Sequence, residues 1–190
     1  MPRPQTIRSM LLSRGPRLSV ARAREVAELV LAQPRKAPQL VQCLWNSNPG
    51  VANRAADALE RASCHRPDLL APWKDALLGL LAEAAQNKLR WNLALMVPRL
   101  KLTKAEIARA VAVLKTYLDD RSSIVKTAAM HGLAGLVLQD PALLPETLDL
   151  LRILSRSGTP AMRARGRILL KMLEPGPRTG LYSKKRCADE

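Results

Sequence analysis

Phenylalanine is absent from this 190-residue sequence, and tryptophan and tyrosine raise the aromatic share to only 3%. Strands draw on aromatic and β-branched residues, so this shortage argues against a β-rich body. The three cysteines, Cys43, Cys64 and Cys187, are scattered and cannot form a disulfide scaffold. Cys64-His65 has no second ligand pair at metal spacing, and with two histidines in the chain no metal cluster is expected. No apolar run approaches the roughly 18 residues that cross a bilayer, and the N-terminal run is only Met10-Leu11-Leu12. These gaps predict a chain outside the membrane, with reduced thiols and a cytoplasmic location. Residues 1 to 24 carry six arginines, several serines and no acid, a composition that also fits an organelle transit peptide. A Gly-rich phosphate loop and a serine or cysteine nucleophile motif are missing as well, so neither an enzyme nor a cofactor is expected.

What is present points to helices. The chain holds 34 leucines and 27 alanines, both good helix formers. With 47% apolar and 25% charged residues it is not a disordered chain. Its length suits one domain that buries roughly 70% of its unfolded surface. The net charge of +15 is uneven: residues 1–35 contribute +5, residues 36–174 +8, and residues 175–190 +2. Basic ends can hold nucleic acid without sequence selectivity, because neutralising phosphates releases counterions whatever the bases are. They can equally be a compositional bias that keeps the chain soluble.

Four segments align without gaps, beginning at Val51, Leu89, Val125 and Met162, at spacings of 38, 36 and 37 residues. In each, the first, fifth, eighth or ninth and twelfth positions are apolar or small, the stripe of a helix packed along one side. Small fifth positions (Ala55, Ala129, Gly166) allow close approach, with Leu93 the exception. Asn48-Pro49 and Thr159-Pro160 put a capping side chain before a first-turn proline, and Ser122 takes the same place in the third segment. Other helices are expected at 39–46, 73–84, 104–118 and 146–156, the third opened by the capping box Thr103-Lys-Ala-Glu106. Prolines in 67–72 and 141–145 end one helix and start the next. The unit is a helical hairpin, and an amphipathic helix at 19–33 caps the array.

Asn48-Pro49-Gly-Val51 with Ala55-Ala56-Asp-Ala58-Leu59, and Asp119-Asp120 followed by Ile124-Val125-Lys126 with Ala128-Ala129, resemble the HEAT-repeat family, whose inner helix opens with Val-Arg and continues Ala-Ala-x-Ala-Leu. Arg90, Lys126 and Arg163 occupy the basic place after the anchor residue. Ala52 departs from it, which leaves the Asp/Arg ladder between turns incomplete at the first unit. The resemblance implies an all-α, right-handed α-solenoid of about four HEAT-like hairpins. The boundaries read from the sequence are a disordered basic N-terminus at 1–18, a repeat domain at 19–174 with repeats at about 36–66, 67–101, 103–139 and 141–174, and a flexible tail at 175–190.

On a helical wheel the third, seventh and tenth inner-helix positions face away from the packed side. They form a concave strip of Asn53, Asp57 and Glu60; Trp91, Leu95 and Pro98; Thr127, His131 and Ala134; Ala164, Ile168 and Lys171. A Trp and Leu there suit a partner-binding strip, since aromatic anchors dominate interface energetics, unless adjacent repeats cover them. Asn53, Asp57, Trp91, Leu95, Thr127 and His131 are the candidate partner contacts. Arg163, Arg167 and Lys171, four apart on the last inner helix, are candidates for phosphate or an acidic partner. Some HEAT-like proteins are DNA glycosylases with Trp and Asp on a basic concave face, and Trp91 and Asp57 are the only residues here that could take those roles. The reading that follows is a non-enzymatic scaffold for a protein or peptide, with a nucleic-acid binder as the alternative.

Overall fold

The computed structural model describes residues 6–12 and 18–174, and among them there are helices and turns but no strand. The chain divides into two compact units, Met1–Lys74 and Asp75–Glu190. The expectation of one repeat domain placed no break here. The division falls inside the expected second repeat, because the proline-bounded 3-10 segment Pro67–Trp73 packs back on the helix before it.

The first unit contains α1 (Ile7–Leu12), α2 (Leu18–Ala32), α3 (Ala37–Gln42) and α4 (Pro49–His65). Asn48 caps α4, its Oδ1 accepting from the Gly50 amide at 2.9 Å and the Val51 amide at 3.4 Å, while Pro49 fills the first helical position. Val51, Ala55, Ala58, Leu59 and Ala62 of α4 are buried. The long neighbour of α4 is α2, whose Ala23, Val26, Ala27 and Val30 recur at helical spacing and are also buried. By contrast α3 is short and passes into a 3-10 turn at Cys43–Trp45, so the helix expected at 39–46 is a minor element.

The N-terminal expectation needs correction. Residues 7–12 are not a disordered end: Ile7 and Leu11, one helical turn apart, are 1% and 0% exposed, and α1 packs against α2 and α4. Arg54 Nη1 donates to the Leu11 carbonyl at 2.6 Å, supplying one of the acceptor-side partners that a helix end lacks. Residues 1–5 and 13–17, with three of the arginines assigned to the basic end, lie outside the described residues, as does the expected flexible tail from Pro175.

The second unit contains α5 (Lys74–Glu83, its first residue at the division), α6 (Asn87–Met96), α7 (Lys104–Tyr117), α8 (Ser123–Val137), α9 (Leu144–Ser157) and α10 (Pro160–Leu173). The capping box that opens α7 is formed, with the Glu106 amide donating to Thr103 Oγ1 at 3.3 Å and the Thr103 amide to Glu106 Oε2 at 2.7 Å. α8 packs against α6, α7, α9 and α10, and is accordingly buried along most of its length. Its approach to α6 depends on Gly132, where a Cβ would lie 2.6 Å from the Ala94 carbonyl oxygen. Gly166 of α10 serves the same end, since a Cβ there would stand 2.9 Å from Ser155 Cβ and 3.3 Å from Met130 Cε. Met130, Ala134, Leu151, Met162 and Leu169 form the core between α8, α9 and α10.

Candidate interaction face on the inner helices

In the second unit α6, α8 and α10 are the inner helices of the repeat, and α8 packs against both others. Three contacts fix their register. A Cβ on Gly135 would meet Pro98 Cβ at 2.9 Å, one on Gly166 would meet Met130 Cε at 3.3 Å, and the hydroxyls of Ser123 and Thr159 are 2.8 Å apart. These pairs are separated by 36 or 37 residues, the repeat spacing read from the sequence. That register places Trp91, Thr127 and Ala164 in one row across the three helices, and Leu95, His131 and Ile168 in the next.

None of these six residues is buried. Trp91, Leu95, Thr127 and His131 are half-buried, whereas Ile168 is 48% exposed and Ile124, one turn before Thr127, is 55% exposed. One expected lining residue differs: Ala134 is fully buried, because it belongs to the core that α8 forms with α9 and α10. On α10 the exposed residues Arg163, Ala164, Arg167, Ile168 and Lys171 occupy one side, opposite buried Met162, Gly166 and Leu169. Arg163 donates to the Gly158 carbonyl at 3.3 Å.

Asn53 and Asp57 lie in the other unit, both half-buried on α4. Asp57 accepts from Arg61 Nε at 3.1 Å, one turn along the same helix. The structure therefore groups Trp91, Leu95, Thr127, His131 and the α10 residues in one unit, and holds Asn53 and Asp57 on a separate helix of the first unit.

Behind the face, polar side chains join successive repeats. Arg90 ion-pairs with Asp120, whose side chain is only 3% exposed, and also donates to the carbonyls of Ala84 at 2.9 Å and Ala85 at 2.8 Å. Its guanidinium lies 5.8 Å from the centroid of the Tyr117 ring. Tyr117 donates its hydroxyl to the Leu81 carbonyl, and burial pushes this phenol up to about 12. Arg90 and Tyr117 thus cap the C-terminal end of α5, where backbone acceptors lack helical partners. At the far end of the same repeats, Gln139 accepts from the Leu102 amide at 3.1 Å and donates to the Pro98 carbonyl at 2.8 Å. Sequence reasoning located Arg90 and the Asp119-Asp120 turn as ladder positions, but gave no role to Tyr117 or Gln139. A buried tyrosine at the end of an alanine-rich helix and a glutamine in a turn carry no periodic signal.

No protein-family model matches this sequence, and no curated protein is similar enough to match it. Among solved structures, an engineered protein determined by the Northeast Structural Genomics Consortium is similar with a TM-score of 0.60 and 17% identity, over 84% of this chain and 74% of that one. A designed armadillo repeat protein aligns with a TM-score of 0.39 and 13% identity, over 88% of this chain and 98% of that one. The first of these likenesses, together with the ten helices of the described residues, shows an all-α helical-repeat fold. Among the described residues no helix is long and apolar enough to cross a membrane.

Proposed function

We propose that the protein is a non-enzymatic scaffold that binds another protein or a peptide on its inner-helix face, with Trp91, Leu95, Thr127 and His131 as the central contacts. The observation that carries this reading is the incomplete cover of the two rows: a half-buried tryptophan and leucine stand beside isoleucines 48% and 55% exposed. Apolar side chains grouped in this way gain free energy when a partner removes them from water. The helices beneath them are already ordered, so little conformational entropy is lost when a partner docks. Asn53 and Asp57 are additional candidate contacts on α4.

A nucleic-acid reading has one observation in its favour: α6, α8 and α10 together carry seven lysines and arginines and no carboxylate. One experiment separates the two. The tagged protein is used to capture partners from its own cell extract with and without nuclease, beside the Trp91→Ala variant. Protein partners that survive nuclease and are lost with Trp91→Ala, at a melting temperature within a few degrees of the wild type, are the expected result. Capture abolished by nuclease would favour the nucleic-acid reading. If the variant instead loses the stability expected for a buried aromatic, about 3–5 kcal/mol, Trp91 is core and the strip is no site.

A further inference from the structure

The second unit separates charge by sign. All nine carboxylates of residues 75–174 lie on α5, α7 and α9, in the turns at Asp119-Asp120 and Asp140, or at Glu174 beyond α10. The inner helices hold cations alone. Of these, Arg90 is engaged by Asp120, whereas Lys88, Arg167 and Lys171 form no ion pair among the described residues. All three are exposed and sit around the apolar rows. Lys88 lies one turn before Trp91, and Arg167 and Lys171 flank Ile168 along α10.

The mixture of surface types decides between anionic partners. A duplex presents phosphates at regular intervals and is bound by cations spread over the contact, yet the two rows themselves, Trp91, Thr127 and Ala164 and Leu95, His131 and Ile168, hold no lysine or arginine. Isoleucines at 124 and 168 would find little on a phosphate backbone. An acidic peptide with apolar anchors matches both features, because its side chains can cover Trp91, Leu95 and Ile168 while its carboxylates reach the surrounding cations. We propose that the inner-helix face of the second unit docks an acidic peptide segment of a partner protein, its apolar residues on Trp91, Leu95 and Ile168 and its carboxylates toward Lys88, Arg167 and Lys171. This inference rests on reading the face as a protein-binding surface and adds the chemistry of the partner. Each exposed ion pair contributes little to affinity, but a face of one sign orients the segment and speeds its arrival, an effect that salt screens.

Selection from a displayed random-peptide library against the full-length protein, counter-selected against Trp91→Ala, tests the inference. Enriched peptides should be net acidic with spaced apolar residues. A fluorescent copy of the best one should bind at least tenfold more weakly to the double variant Arg167→Glu/Lys171→Glu, and more weakly to the wild type at 300 mM than at 50 mM salt. Both α10 positions are exposed, so the melting temperature should stay near that of the wild type. Enriched peptides that depend on Trp91 but are neutral or basic would overturn the acidic assignment and leave the protein-binding face standing. Absence of any Trp91-dependent enrichment would overturn both. A 20-base-pair duplex that binds more tightly than the best peptide, and is lost in the double charge reversal, would overturn the choice of peptide over nucleic acid.

Discussion

Replacing Arg90 with alanine removes four interactions at once, and their sum can be estimated from the surroundings of the guanidinium. The Asp120 side chain is 3% exposed and would keep only the Ser122 amide, which donates to its Oδ1 at 2.7 Å. Breaking a buried pair by deleting one partner costs about 3–5 kcal/mol, because the remaining charge is left without compensation. Arg90 itself is 27% exposed, so water can enter the space it vacates and reduce that cost. The lost bonds to the Ala84 and Ala85 carbonyls add in the other direction, by about 1 kcal/mol each where the acceptors stay dry. A loss of about 3 kcal/mol is expected, which for a chain of this length lowers the melting temperature by about 6–12 °C. Arg90→Lys keeps the charge but not the planar fork and should fall between the two. A double-mutant cycle with Asp120→Ala isolates the pair and should give a coupling of about 2 kcal/mol, read from urea titrations. A coupling below about 0.5 kcal/mol, within the usual additivity of independent sites, would refute the view that this pair joins successive repeats.

Gly132→Ala should destabilise by about 1–3 kcal/mol in denaturant titration, because its Cβ would meet a backbone oxygen that cannot move aside. Gly79→Ala is the control with opposite sign: nothing stands within 4 Å of its Cβ on α5, so a gain of about 0.5–1 kcal/mol is expected. Tyr117 is harder to ionise in the folded state than in the unfolded chain, so stability linked to its phenol is intact below pH 10 and is lost as pH rises from 10 toward 12. With two tyrosines in the chain, absorbance titration of Tyr182→Phe reports Tyr117 alone, and an ordinary midpoint near 10 would contradict its buried placement. Asn48→Ala removes the cap of α4 and should cost about 1 kcal/mol in thermal melts, while Asn48→Asp should cost little.

Three of the four inner helices were legible in the sequence because each carries both a capping residue and an apolar stripe at fixed repeat spacing, whereas α6, preceded by Gln86 without a side-chain cap, carries the stripe alone. α4, α8 and α10 begin where Asn48, Ser122 and Thr159 placed them. The first unit was less legible. Ile7 and Leu11 make a single apolar pair within an arginine-rich segment, too short a pattern for periodicity to distinguish from chance. What makes that pair structural is a contact 43 residues away, Arg54 to the Leu11 carbonyl, which local reading cannot anticipate. The division after Lys74 was hidden for a related reason. Pro67 and Pro72 announce a break in helix, but not which neighbour the broken segment joins. For the candidate face, wheel positions correctly separated exposed Ile168 from buried Leu169, yet missed the burial of Ala134, because its cover comes from α9 and α10 of the next repeat.

The location of the carboxylates ties stability to surface character. A repeat needs polar fasteners at its turns, and here Asp120 holds Arg90, Asp140 Oδ1 accepts from the Ala142 amide at 3.2 Å, and Glu146 pairs with Lys115 between outer helices. Acid is therefore used where backbone ends and outer helices meet. The next junction does without it, since Ser123 and Thr159 meet through hydroxyls. With the carboxylates of residues 75–174 confined to the turns, the outer helices and Glu174, nothing on α6, α8 or α10 neutralises Lys88, Arg167 and Lys171. Moving one acid inward tests this separation. Ala164→Glu, at an exposed position on α10, lies four residues before Ile168 and one turn from Arg167 and should pair with it at little cost to folding. The folded protein should thus tolerate the change within about 0.5 kcal/mol, the usual range for an exposed site. Its hold on an acidic segment should weaken, and equal affinity of the two proteins at low salt would show that the sign of the face does not matter.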